Sequence, residues 1–216
     1  MKASILITVF CAAIFSSVRA STVGVDPTSG EVAVGSGTGG LTAGYEFQVT
    51  APGGITVDGL GYWDYQANGF LLNQTFDVGL WDASSSALLR SSTITSSSAL
   101  QTSAHPSGDW RINPVTPLTL APGLYRIGAL IPVQGANETV VDVATFTTAP
   151  GVTLVRFMRQ LGSSTLAMPN IGPAYPEAEW FGPTFTIAAV PEPSPVVFLL
   201  ASLISVCLFS YRSSRT

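Results

Sequence analysis

The sequence predicts an all-β fold: a two-sheet antiparallel β-sandwich, jelly-roll-like, of about 8 to 10 strands, set between two apolar ends. Three observations carry that expectation. Between residues 21 and 190 no long stretch has the apolar period of a helix. Short runs instead alternate apolar and polar residues at period two, the pattern of a strand with one face buried. Gly, Pro, Asn and Ser interrupt those runs at short intervals and supply the turns.

In chain order, residues 1–20 read as a secretory signal peptide. Lys2 is the positive start and Ile5 to Phe15 the apolar stretch. Val18-Arg19-Ala20 puts small residues at −3 and −1, so cleavage is expected after Ala20. This predicts passage through the secretion translocon and removal by signal peptidase. Residues 21–189 are the expected sandwich. Tyr45, Phe47 and Val49 alternate with Glu46 and Gln48, and Ile55 and Val57 alternate with Thr56 and Asp58. Phe76, Val78 and Leu80 define one face, with Asp77, Gly79 and Trp81 on the other. Tyr125, Ile127, Ala129 and Ile131 oppose Leu124, Arg126, Gly128 and Leu130. Further strands are expected in Val140 to Thr147, Val152 to Met158 and Thr184 to Ala188. Turns fall at Pro52-Gly53-Gly54, Asn68-Gly69, Pro122-Gly123, Pro150-Gly151 and Gly182-Pro183. Ser91 to Ser98 and Thr102 to Ser107 are rich in Ser and Thr and read as an exposed connection. Ser36 to Gly40 has neither the Lys nor the following helix of a phosphate-binding loop and reads as a plain loop.

Composition limits the function. Both cysteines, Cys11 and Cys207, lie in the terminal segments, so the expected exported domain has no disulfide or cysteine metal site. That domain has twelve acids, five arginines and no lysine, a net charge of −7. Such a balance offers no electrostatic footprint for nucleic acid.

Candidate chemistry is sparse. A hydrolase needs a nucleophile and base, or two acids facing across a cleft about 5 to 9.5 Å apart. The single histidine, His105, lies in the Ser/Thr-rich stretch and reads as a surface-loop residue. Glu177 and Glu179, before Trp180, share a face if extended. Aromatics are the stronger binding signal. Tyr62, Trp63, Tyr65 and Phe70 crowd one hairpin-like segment, with Trp81 in a later strand. Asp64 and Asp82 each follow a Trp at an expected strand end. Exposed rings stack on sugar faces, and Asp64, Gln66, Asn68 and Asn73 are available to bond hydroxyls. The candidate ligand-binding set is therefore Trp63, Asp64, Tyr65, Trp81 and Asp82. The competing reading is that these rings are core. No cofactor is expected. Calcium is the one ion in play, through Asp64, Asn68, Asp77 and Asp82, although no D-x-D-x-D-G loop is present. Asn73-Gln74-Thr75 and Asn137-Glu138-Thr139 match the short glycosylation sequon.

The C-terminal 27 residues are the most specific feature. Pro191-Glu192-Pro193 stands before an apolar run from Val196 to Tyr211, and Arg212 and Arg215 follow. The run is expected to form a transmembrane helix over about 196–211, about 24 Å long, with the arginines cytoplasmic. Pro193 and Pro195 keep the preceding segment extended. This tail, residues 190–216, resembles the PEP-CTERM sorting signal of bacterial envelope proteins: triplet, single helix, terminal arginines, in that order. The basic cluster is thinner than the family's usual one. The resemblance implies recognition by an exosortase, a membrane-embedded cysteine transpeptidase, with Pro191, Glu192 and Pro193 as the sorting motif. It also implies inner-membrane anchoring before cleavage, then release or attachment at the cell surface.

The stretch from Gly44 to Ile131 is similar to an uncharacterised family of extracellular β-sandwich domains. G-Y-E-F-Q-V, V-D-G-L-G-Y-W-D, V-G-L-W-D-A-S-S-S-A-L-L and P-L-T-L-A-P-G-L-Y-R-I-G-A carry the likeness. It implies fold rather than activity. The expectation from the whole chain is a non-enzymatic surface or extracellular-matrix protein. The alternatives are a carbohydrate-binding module for exopolysaccharide and a secreted glycoside hydrolase with an unrecognised site.

Overall fold

The alternating runs become the long strands of an all-β, antiparallel structure. The computed structural model describes residues 21–35, 40–131, 137–141, 145–172 and 181–189. The expected signal peptide, the sorting tail with Pro191, Glu192 and Pro193, residues 36–39, and the Glu177, Glu179 and Trp180 group lie outside the described residues. The strands are β1 Thr22–Val23, β2 Val25–Pro27, β3 Glu31–Gly35, β4 Leu41–Val49, β5 Ile55–Tyr65, β6 Phe76–Asp82 and β7 Leu88–Ile94. They continue as β8 Ala99–Gln101, β9 Gly108–Leu120, β10 Gly123–Ile131, β11 Asn137–Val141, β12 Phe146–Thr148, β13 Val152–Leu161 and β14 Pro183–Ile187. Among the described residues the only helical turn is Leu71–Asn73, and Leu72 within it has a positive φ.

One five-stranded sheet has the order β1-β14-β5-β9-β8, and a second has β13-β4-β10-β6-β7. Two small ladders, β11-β3 and β12-β2, complete the described strands. The chain crosses repeatedly between the large sheets. Residues of both meet in one hydrophobic core within the unit Ser21–Ala188. Phe47 of β4 stacks on Phe185 of β14 with ring centres 4.5 Å apart, and Tyr62 of β5 stacks on Phe76 at 3.7 Å. This face-to-face packing is consistent with a β-sandwich.

The second sheet is also covered on its other side. Trp81, Arg126, Glu46 and Arg156 follow one another across β6, β10, β4 and β13. Glu46, almost fully buried, accepts from Arg126 Nε at 2.8 Å and pairs with Arg156 Nη2 at 3.0 Å. The adjacent row is Gly79, Gly128 and Gly44. The Trp81 indole lies over Gly79, where a Cβ would come within 2.4 Å of the ring. Pro169 reaches this face, accepting from Arg126 Nη1 at 3.2 Å.

Two stretches depart from the sequence reading. The expected Ser/Thr-rich connection overlaps β7 at residues 91–94, and β8 lies between its two stretches; both strands are at sheet edges, where few apolar positions are needed. Strand β9 extends well before the P-L-T-L run that leads into the Pro122-Gly123 turn, because Pro114 and Pro117 interrupt its alternation without ending it. Its pairing with β5 shifts register at Val57/Gly59, opposite the stretch holding both prolines, where a ladder loses little from a missing N–H.

Candidate functional site

Strand β5 sets the geometry. Tyr62 and Trp63 are sequence neighbours whose side chains point to opposite faces, yet both are 0% exposed. The strand is therefore covered on both sides at this point. Trp63 sits opposite Trp110 of β9 and meets it edge to face at 5.4 Å. The His105 ring meets Trp63 edge to face at 5.2 Å. A sugar platform needs an open ring face. Trp63 has none, and Trp81, 4% exposed with its ring over Gly79, has none either. The placement of these two indoles corrects their reading as stacking platforms: they are packing residues.

Asp64 is likewise turned to structural work. Fully buried, it accepts from Arg111 Nε at 2.6 Å and from the Gly69 N–H at 3.0 Å. Arg111 also donates to Ala67 O at 3.3 Å and to Ser98 O at 3.2 Å. The pair thus ties down the turn after β5. That turn has Gln66 at φ 59 and Ala67 at φ 55, two non-glycine residues in left-handed backbone, a conformation costing about 1 kcal/mol or more each and kept only where the surroundings dictate it.

A second buried carboxylate fixes the segment opposite. Asp26 of β2 accepts from Ser103 Oγ and the Ala104 N–H, both at 2.6 Å, and from Trp110 Nε1 at 2.9 Å. Ser103 N donates to Asp109 Oδ1 at 3.1 Å, and Ser107 N donates to His105 Nδ1 at 3.2 Å. His105 is 4% exposed, which overturns its reading as a surface-loop residue. It is the inward pin of the loop, held by the indole edge and by backbone.

Between the Tyr65–Ala67 turn and the Thr102–Asp109 loop lies an open cleft of about 560 Å³. Of the expected binding residues, Tyr65, half-buried, and Gln66 line it. Thr102 and Asp109 also line it, and no arginine, lysine or aliphatic cluster does. The Trp63 Nε1 donor, buried and without a hydrogen-bond partner among the described residues, belongs to an indole packed against the cleft residue Gly108.

Asp82 is elsewhere. At the end of β6 it accepts from Ser84 Oγ at 2.6 Å and from the N–H groups of Ser85 at 2.8 Å and Ser84 at 2.9 Å. The Ser84 hydroxyl, then the Ser85 N–H, hold its carboxyl down at about 2. Asp77 accepts from Thr93 at 2.6 Å. Asp64, Asp77 and Asp82 are thus each engaged separately, and the described residues bring no three acids or histidines together as a metal group. Sequence reasoning located Tyr65 and Gln66 but missed Asp26, Thr102, Asp109 and Arg111. Asp26 and Trp110 are 84 positions apart, and no local pattern announces such a contact. Comparison with known proteins found no matching family model, no similar curated protein and no similar solved structure.

Proposed function

We propose that this chain is an exported bacterial surface or matrix protein with a non-enzymatic interaction role, delivered by a PEP-CTERM-type tail. The observation that carries the reading is the tail: Pro191-Glu192-Pro193, the Val196–Tyr211 apolar run, then Arg212 and Arg215. The run is long enough to hold the chain in the inner membrane through about 16 apolar or small positions. The triplet before it sets a carboxylate between two prolines, which favour extended backbone, and that is a feature an exosortase can read. The signal-peptide pattern at residues 1–20 supplies the export step.

The domain between is read as a jelly-roll-like sandwich, supported by the repeated crossing of the chain between the two five-stranded sheets. A scaffold role is supported by how the described domain uses its buried acids. Asp26, Glu46 and Asp64 each anchor backbone or arginine, leaving them poorly placed for proton transfer to a substrate. The carbohydrate-binding alternative is favoured by the Tyr65–Asp109 cleft.

The sorting step is tested by Glu192→Ala in a host with an exosortase. The expected result is an uncut precursor in the inner membrane, while the unsubstituted chain reaches the surface. Normal processing of the variant would remove the sorting reading.

A further inference from the structure

We infer that the cleft between Tyr65 and Asp109 is a preformed site for a neutral saccharide, deepening the interaction role proposed above. The first argument is preorganisation. Its two walls are unrelated in sequence, yet each is anchored by its own buried carboxylate. Asp64, with Arg111, fixes the Gln66–Ala67 wall in left-handed backbone. Asp26 fixes the opposite wall through Ser103 and Ala104. A turn needed only to join strands requires neither the strain nor two buried acids to hold it. Rigid walls lower the ordering cost that otherwise weakens binding.

The second argument is the chemistry of the lining. Tyr65 offers an aromatic ring, Thr102 a hydroxyl, Gln66 an amide and Asp109 a carboxylate oxygen. These groups donate to and accept from hydroxyls while a ring packs on C–H surface. The absence of arginine and lysine from the lining disfavours phosphate, sulfate or uronate ligands. The lining is too polar for a lipid or apolar ligand. The volume of about 560 Å³ lies within the usual small-ligand range, and the open mouth suits one or two units of a longer polymer.

The site differs from the cluster the aromatic pattern indicated. Trp63, Asp64 and the Trp81–Asp82 pair have no open face in it. Trp63 and Asp64 act behind the walls, through His105 and Arg111. Tyr65 and the 102–109 loop form the contact surface.

The experiment uses the whole 216-residue chain in a zwitterionic detergent without a sugar headgroup. Affinity electrophoresis is run through gels containing dextran, mannan, galactan or xylan, with alginate and chitosan as anionic and cationic polymers. Retardation by at least one neutral polymer is expected. Tyr65→Ala, Thr102→Ala and Asp109→Asn are each expected to weaken it by roughly tenfold or less, with melting temperatures unchanged. Leu88→Ala, on the exposed edge strand β7, is expected to leave it unchanged. No retardation by any neutral polymer, retardation only by alginate or chitosan, or equal retardation of all cleft variants would overturn the assignment. Because purified chain is used, that failure leaves the sorting reading intact, and a failure of sorting leaves this one intact.

Discussion

Removing Arg111 is expected to destabilise the domain more than removing Asp64, although the two form one pair. Asp64 is 0% exposed, whereas the Arg111 side chain is 11% exposed. Arg111→Ala strands a carboxylate away from water, retaining only the Gly69 N–H at 3.0 to 3.2 Å. Asp64→Ala leaves a guanidinium that keeps the Ala67 and Ser98 carbonyls and has its edge at solvent. Breaking a buried pair costs about 3–5 kcal/mol. Arg111→Ala belongs near the upper end and Asp64→Ala near the lower. For a domain of this size each kcal/mol shifts the melting temperature by about 2–4 °C, so the losses are roughly 6 to 20 °C. Asp64→Leu combined with Arg111→Met is expected to cost less than Arg111→Ala alone, since no charge is left buried. Urea denaturation followed by tryptophan fluorescence measures all four proteins. A loss under about 1 kcal/mol for Arg111→Ala, or a larger loss for Asp64→Ala, would refute the reasoning.

Two further outcomes follow from charges at the domain's edges. The carboxyl of Asp82 is lowered from 3.8 to about 2 by the Ser84 and Ser85 donors, so its contribution is fully present above the unfolded value and lost as pH falls through about 2. The small stability gap between the unsubstituted chain and Asp82→Asn is therefore expected to close between those values in acid titration by circular dichroism, and a gap that widened there would contradict the sign. Cleavage after Ala20 would make the nitrogen of Ser21 an ammonium on the residue whose Oγ donates to Asp58 Oδ2 at 2.5 Å. Acetylating that terminus is expected to cost about 0.5–1 kcal/mol. Urea denaturation of the free and acetylated forms measures the difference, which Asp58→Asn is expected to abolish.

The β class was legible because alternation is local. Tyr45, Phe47 and Val49 show their common face in five residues, and Phe76, Val78 and Leu80 do the same. What alternation cannot tell is whether the other face is covered. Trp63 and Trp81 stand where a one-sided sheet would expose them. Trp63 is buried through His105 and Trp110, both distant in sequence, and Trp81 is 4% exposed with its ring laid over Gly79. His105 was misread for the same reason: its stretch is rich in Ser and Thr, but its ring is held by a tryptophan 42 positions earlier. The cleft was half legible. Tyr65 belonged to the aromatic cluster, whereas Thr102 and Asp109 reach it only because Asp26 folds their loop inward.

Intact-mass analysis of the surface-associated protein, from a host with an exosortase, tests the central claim most directly. The account predicts a mature chain that begins at Ser21 and lacks the segment from about Val196 onward. A surface form that retains Leu199 to Tyr211 would contradict it and leave the tail as an ordinary membrane anchor.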